Sequence, residues 1–309
     1  MLFRDLVLAV ASNSAVKKLI TGLPAFRRMA RRFVAGEDME DALRAIGELR
    51  RQGLHTTLDV LGESVTDETM ARQAAADYVT ALDRVYAAGL ASHVSVKLTQ
   101  LGLDLGRELC LENMHAILRK AQSLGTFVRI DMESSAYTER TLDVYKTLHA
   151  EFENVGIVIQ AYLRRSLADI EALAATGAHV RLCKGAYREP PSVAFPKKAD
   201  VDANYKRLLE VLFQPESLAA GTRVAVATHD ANIIQWTRLY TLGHDIPAAA
   251  YEFQMLYGVR RDLQQQLAAQ GHTVRVYVPF GTYWYPYFTR RLAERPANLL
   301  FIARNLFRG

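Results

Sequence analysis

The chain has 309 residues, half of them hydrophobic and 23% charged, which is enough for a large core and too long for a minimal module. Thirty-eight Lys and Arg against 33 Asp and Glu leave a formal charge of +5, a mild excess that suits an anionic small ligand, a membrane surface or nucleic acid. The two cysteines, Cys110 and Cys183, exclude a disulfide framework and a cysteine-rich metal site, and no run reaches the ~18 apolar residues of a membrane span.

Leu2 to Ala11 is apolar but interrupted by Arg4 and Asp5, so the start reads as a helix rather than a signal peptide. The expected location is cytoplasmic, either soluble or peripheral to the inner face of a membrane. Residues 1–36 read as a helical extension divided at Pro24. Phe26, Met29, Ala30 and Phe33 share one helical face, with the arginines of the segment elsewhere. That pattern fits a packed helix with a solvated basic face, or an anchor to anionic lipid. It has no aromatic ladder for stacking bases, so no nucleic-acid partner is expected.

From residue 37 to 309 the sequence reads as one catalytic domain in which helical stretches alternate with short β-branched runs. The candidate strands are Leu54 to Leu61, His93 to Leu98, Thr126 to Met132, Val155 to Tyr162, His179 to Ala186, Thr222 to His229, Ala248 to Met255 and His272 to Phe280. Between them lie helical stretches such as Thr66 to Ala88, Glu108 to Ser123, Leu167 to Ala175 and Tyr205 to Phe213, commonly closed by glycine at Gly53, Gly89, Gly125, Gly177, Gly221 and Gly271. Eight strand–helix units predict an α/β fold, a closed parallel (β/α)8 TIM-like barrel. A doubly wound sheet is the competitor, but no Gly-rich phosphate loop follows the first strand. Arg188 to Asp202, with Pro190, Pro191 and Pro196, reads as a loop or lid.

Active sites in such barrels lie at the C-terminal ends of the strands. Those ends supply Asp59, Lys97, Asp131, Gln160, Arg181 with Lys184, Thr228 with His229, Glu252 with Gln254, and Tyr277. A ring of both signs can satisfy itself as structure, yet nearly every strand ends this way. By strand alternation His179, Arg181 and Cys183 point one way and Val180, Leu182 and Lys184 the other, and Gly185 then lets the backbone approach a ligand. After the last strand, Arg290 and Arg291 adjoin an aromatic turn. Neighbours on a helix point ~100° apart, so both cannot readily face away from the barrel. Arg290 can pair with Glu294 as an ordinary surface bridge, or the two arginines can clamp a carboxylate. There is no Walker A, HExxH or GxSxG motif, and the eight histidines show no ligand spacing, so no metal is expected.

VSVKLTQLG, RIDMESS, VIQAYLRRS, RLCKGAYRE, ATHD, YEFQMLYG, VYVPFG and TRRLAERPAN occur in this order. Together they resemble the flavin-dependent proline dehydrogenases of the bacterial monofunctional type, from about Asp59 onward. The resemblance implies a distorted barrel with FAD over its strand ends and a final helix above the pocket. It implies oxidation of L-proline to Δ1-pyrroline-5-carboxylate, the first step of proline catabolism, with electrons passed to a membrane quinone. Functional coupling to a pyrroline-5-carboxylate dehydrogenase follows as a further expectation.

By motif position, Asp131 and Arg181 resemble the catalytic pair, Arg181 also touching the cofactor. Lys97, Ala186, Leu256, Tyr277, Tyr287, Arg290 and Arg291 resemble the substrate pocket. Met132, Gln160, Lys184, Gly185, Ala186, Thr228, His229 and Glu294 resemble the cofactor contacts. The sequence departs from the fused, bifunctional enzymes at Arg188, where those carry an aromatic residue. On the residues alone a Schiff-base lyase using Lys97 or Lys184, and a non-catalytic binding barrel, remain open.

Overall fold

A computed structural model of the chain describes residues 26, 29–62 and 65–294, with side chains given as far as Arg291. The elements in chain order are α1 (Met39–Arg51), β1 (His55–Val60), α2 (Glu68–Ala87), β2 (His93–Val96), α3 (Arg107–Ser123), β3 (Val128–Ile130), α4 (Thr138–His149), β4 (Val155–Gln160), α5 (Ser166–Ala174), β5 (His179–Cys183), α6 (Lys198–Leu212), the short α7 (Pro215–Ala219), β6 (Arg223–Ala227), α8 (Ala231–Gly243), β7 (Tyr251–Leu256), α9 (Arg261–Ala269), β8 (Val274–Phe280) and α10 (Trp284–Glu294). The strands form a closed parallel barrel in sequence order, with β8 returning to β1.

Local chemistry sets these boundaries. Asp67 caps α2, its Oδ1 accepting from Met70 N at 2.9 Å, and Asp38 caps α1 in the same way. The six glycines expected to close helices all adopt φ between 64° and 103°, the left-handed region where a side chain is strained.

Each strand splits by alternation into two faces. Leu58, Val94, Ile130, Ile157, Val180, Val226, Phe253 and Val276 are fully buried in the main core cluster. The other face fills the barrel with polar groups. Arg181 on β5 reaches Ser95 on β2 at 2.9 Å and Gln254 on β7 at 2.5 Å, and strands that are not neighbours can be joined only through the interior. Barrel interiors are ordinarily packed with branched apolar side chains; here a hydrogen-bonded charged network takes their place.

Two expectations are corrected. The sixth helix starts at Lys198 rather than Tyr205, so it absorbs the end of the expected loop. The seventh strand starts at Tyr251, because Ala248–Ala250 form a turn of 3-10 helix. Glu252 therefore lies near the beginning of its strand, away from the C-terminal ends where the sequence put it.

Ala30, Phe33 and Val34 pack with Leu61 and with Trp284, Tyr285, Tyr287 and Phe288, and Phe26 and Met29 pack against the same cluster. The apolar face of the N-terminal segment is thus spent against α10, as the packed-helix reading requires. Arg27 and Arg28 of its basic face lie outside the described residues. Among the described residues no helix is long and apolar enough to cross a membrane.

Candidate active site

The C-terminal ends of the strands open into a cavity of about 500 Å³. Its wall includes Lys97, Asp131, Met132, Gln160, Arg181, Lys184, Gly185, Ala186, Thr228, His229, Leu256, Tyr277, Tyr287, Arg290 and Arg291. Every expected site residue is there except Glu294, which ends α10 and whose side chain lies outside the described residues. Arg290 and Arg291 both face this space, as their ~100° separation on the helix allows. The Arg291 guanidinium lies 5.2 Å from the centroid of the Tyr287 ring.

The floor is an ionic lattice. Asp131 follows β3 and accepts from Arg181 Nη1 at 2.7 Å and from Tyr277 OH at 2.7 Å. Lys97 follows β2, donates to Asp59 at 3.0 Å and lies 3.8 Å from Asp131. Arg181 donates in addition to Ser95 Oγ and Gln254 Oε1, which fixes its guanidinium in one orientation. Burial raises the Asp59 carboxyl, and Lys97 opposes that rise. Burial, and then the Asp131 charge, push the Tyr277 hydroxyl well above the usual phenol range, so it stays a hydrogen-bond donor.

One side of the rim is a second charged cluster. Lys184 donates to Asp202 at 2.5 Å and to Asp230 at 2.7 Å, and Lys198 bonds the same two carboxylates. Burial disfavours the charged form of Asp230, but the two ammoniums outweigh it and hold the carboxyl below its ordinary range. Strand alternation does not extend to Lys184, because β5 ends at Cys183 and the chain turns there. Gly185, at φ 109°, is required by a protein ring: an added Cβ would lie 2.1 Å from Tyr162. His229 Nε2 accepts from Leu256 N at 3.0 Å, tying the end of β6 to the end of β7.

The strand-end pattern missed several residues that brace the site or its loop. Ser95 sits on the inward face of β2 two residues before Lys97, where the same period could have found it. Asp202 and Asp230 are 18 and 46 residues from Lys184, a pairing no local pattern encodes. Glu189 accepts from Ser135 N at 2.7 Å and Ser135 Oγ at 2.5 Å, fastening the loop after β5 to the 3-10 turn after β3.

Fold and site together define a (β/α)8 barrel of the enzyme type, with a cavity at its strand ends over an ionic floor. Comparison with known proteins narrows the class. The model of the proline dehydrogenase family matches residues 42–304. A proline dehydrogenase of Deinococcus radiodurans is 44% identical over 313 residues, covering 100% of this chain and 99% of that one. Proline dehydrogenase 1 of Bacillus subtilis strain 168 is 41% identical over 307 residues, covering 99% and 100%. Among solved structures, proline utilization A from Bdellovibrio bacteriovorus, inactivated by N-propargylglycine, matches with a TM-score of 0.81 at 27% identity. That match covers 94% of this chain and 36% of the other, so the chain spans about a third of that solved protein. The chain belongs to the proline dehydrogenase family, oxidoreductases of proline catabolism.

Proposed function

We propose that the protein oxidises L-proline to Δ1-pyrroline-5-carboxylate with FAD as its cofactor and a quinone as the final electron acceptor. The observation that carries this reading is the convergence of Arg290, Arg291 and Lys97 on one cavity whose floor holds Arg181. Proline is a small zwitterion, and its carboxylate needs charge-assisted donors in a water-poor space. Tyr277, Tyr287, Leu256 and Ala186 supply a wall for the ring.

The residues present suit a flavin nucleotide. Gln160 Oε1 is buried and has no hydrogen-bond partner, although its amide nitrogen is engaged by Met132 O at 3.3 Å. An acceptor left open at the cavity wall fits the N–H of a flat heteroaromatic ring. Lys184, Thr228 and His229 lie on another part of the wall, where phosphate oxygens and a nucleoside can be held. Gly185 and Met132 provide close, apolar contact. Bound FAD would supply the two-electron acceptor that no side chain can provide.

The protein's part is orientation and electrostatics. The amine must lose its proton before the ring is oxidised, and a cationic pocket favours the neutral amine. Both Asp131 oxygens are already engaged, by Arg181 and by Tyr277, so this carboxylate organises the floor rather than serving as a free base. Arg181, fixed by its bonds to Asp131, Ser95 and Gln254, would present a held positive charge to a bound flavin. The lyase reading loses ground here. Lys97 and Lys184 each donate to carboxylates, the opposite of the arrangement that frees a lysine amine as a nucleophile.

Functional coupling to a pyrroline-5-carboxylate dehydrogenase is part of this reading. Anaerobic titration tests the proposal. The purified protein should be yellow and should bleach on addition of L-proline. A colourless protein, or a yellow one unchanged by proline, overturns it. Arg291→Met should bind proline at least ~30-fold more weakly through loss of one charged bidentate donor; an unchanged titration would remove Arg291 from the clamp.

A further inference from the structure

The barrel has a second cavity, of about 280 Å³, at the opposite end, where the strands begin. Phe127 stands in it between His93 and His179, its ring centroid 5.2 Å from each imidazole. Arg129, two residues further along the same face of β3, brings its guanidinium 4.9 Å from the Phe127 ring centroid. Arg223, at the exposed start of β6, lies on the rim.

Arg129 is only 6% exposed. Its Nη1 donates to the carbonyls of Ile157, at 3.2 Å, and His179. Among the described residues its Nε and Nη2 donate to nothing, and it forms no ion pair. The other buried cations of the interior each have a carboxylate: Lys97 has Asp59, Arg181 has Asp131, and Arg275 has Glu252. Glu252 also lines this cavity, but Arg275 and Gln254 occupy its oxygens. The guanidinium has a place prepared for it. At Gly156 on β4, a Cβ would stand 2.4 Å from Arg129 Nη1, so the strand leaves that space open. A buried cation without a counter-charge is costly unless something brings one. Burial and then Arg129 hold the His179 imidazole down to about 4, so this ring stays neutral and Arg129 is the charge the cavity has to accommodate.

We propose that this N-terminal cavity binds a small oxyanion, a carboxylate or a phosphate, whose charge is taken by Arg129 inside and Arg223 at the rim. The size favours a molecule of a few heavy atoms, since the space lies at the lower limit of ligand pockets. The site is separate from the strand-end cavity and does not depend on what that cavity binds.

Thermal unfolding of the flavin-loaded protein tests this, in sodium phosphate, sodium acetate or sodium chloride at one fixed ionic strength. A bound anion raises the melting temperature along a saturation curve. Phosphate, acetate or both should do so relative to chloride, and whichever does identifies the chemistry. Arg129→Gln should abolish the rise. Arg223→Ala alters an exposed residue and so keeps the fold; it should move half-saturation about tenfold higher. Arg291→Met, at the other end, should leave the rise intact. The proposal fails if neither anion differs from chloride in the wild type. It also fails if the rise survives in Arg223→Ala and vanishes in Arg291→Met, because the anion would then sit among the strand ends.

Discussion

The two ends of the barrel solve the burial of charge in opposite ways. At the C-terminal end, Arg181 and Lys97 are matched by Asp131 and Asp59 within 3.0 Å, and Tyr277 closes the lattice. At the N-terminal end, Arg275 is matched by Glu252, but Arg129 has only carbonyl oxygens and an aromatic face. The ends are physically joined. Arg275, Glu252, Gln254, Arg181 and Asp131 form one continuous chain of hydrogen bonds through the interior. A charge-neutral floor can hold side chains still for chemistry, whereas an uncompensated cation can recruit an anion. The contrast predicts that removing one charge will have opposite consequences at the two ends.

The largest effect is expected at the floor. Asp131→Ala strands Arg181 in a buried site, and breaking a buried pair in this way costs about 3–5 kcal/mol. Urea denaturation should show that loss, together with a fall in kcat larger than the change in KM, because Arg181 loses its fixed orientation. A stability change below about 1 kcal/mol would mean that the floor is not a coupled lattice.

The next effect is a pH dependence belonging to the N-terminal end. His179 is held down to about 4, first by burial and then by Arg129, while an unfolded chain protonates histidine near ~6.5. As pH falls from ~6.5 to ~4 the unfolded state binds the proton and the folded state does not, so stability decreases through that window and levels off below it. The single-site contribution is at most about 3 kcal/mol. His179→Asn should flatten this part of a pH–stability profile, and a profile of unaltered slope would place the titration elsewhere.

Arg129→Met, by contrast, should be neutral or stabilising by about 1–3 kcal/mol, since it removes a buried charge that has no carboxylate to strand. It should also let the His179 imidazole rise toward its ordinary range, which proton NMR can follow. Marked destabilisation of Arg129→Met would show that its two carbonyl bonds outweigh its desolvation.

Much of this barrel could be read directly from residue order, for identifiable reasons. Alternation in short β-branched runs located all eight strands, and glycine after six of the helices marked where the chain turns. Charged residues at strand ends are a local signal, and Lys97, Asp131, Gln160, Arg181 and Tyr277 do line one cavity. What was missed has equally definite causes. Glu252 was placed at the wrong end because the Ala248–Ala250 turn displaces the start of β7, and nothing in three alanines distinguishes a turn from a strand. Lys198 opens α6 with the polar turn Lys198-Ala199-Asp200 after three prolines, so helical spacing emerges only from Val201, Tyr205 and Leu208 onward. Arg129 and Phe127 are two residues apart in the run Thr126 to Met132 and so share a face, but that their end of the barrel is hollow follows only from closing the sheet.

The smallest effect concerns the loop over the C-terminal end. Glu189 takes two hydrogen bonds from Ser135, one from the backbone N–H and one from the hydroxyl. Ala186 and Tyr187, just before it, line the cavity, and Ala194 bridges to Leu163 beyond it. Ser135→Ala keeps the backbone donor and loses the hydroxyl, a change worth about 1 kcal/mol. A fastening of that size should shift the local opening of residues 188–195 about fivefold in amide exchange, with a modest rise in KM. It should leave the anion-dependent melting shift and the His179 titration unchanged, because neither depends on the strand-end loop. If Ser135→Ala disturbed those readouts as strongly as it disturbed KM, the two ends of the barrel would have to be treated as one coupled site, and the hydrogen-bond chain from Arg275 to Asp131 would be the path that couples them.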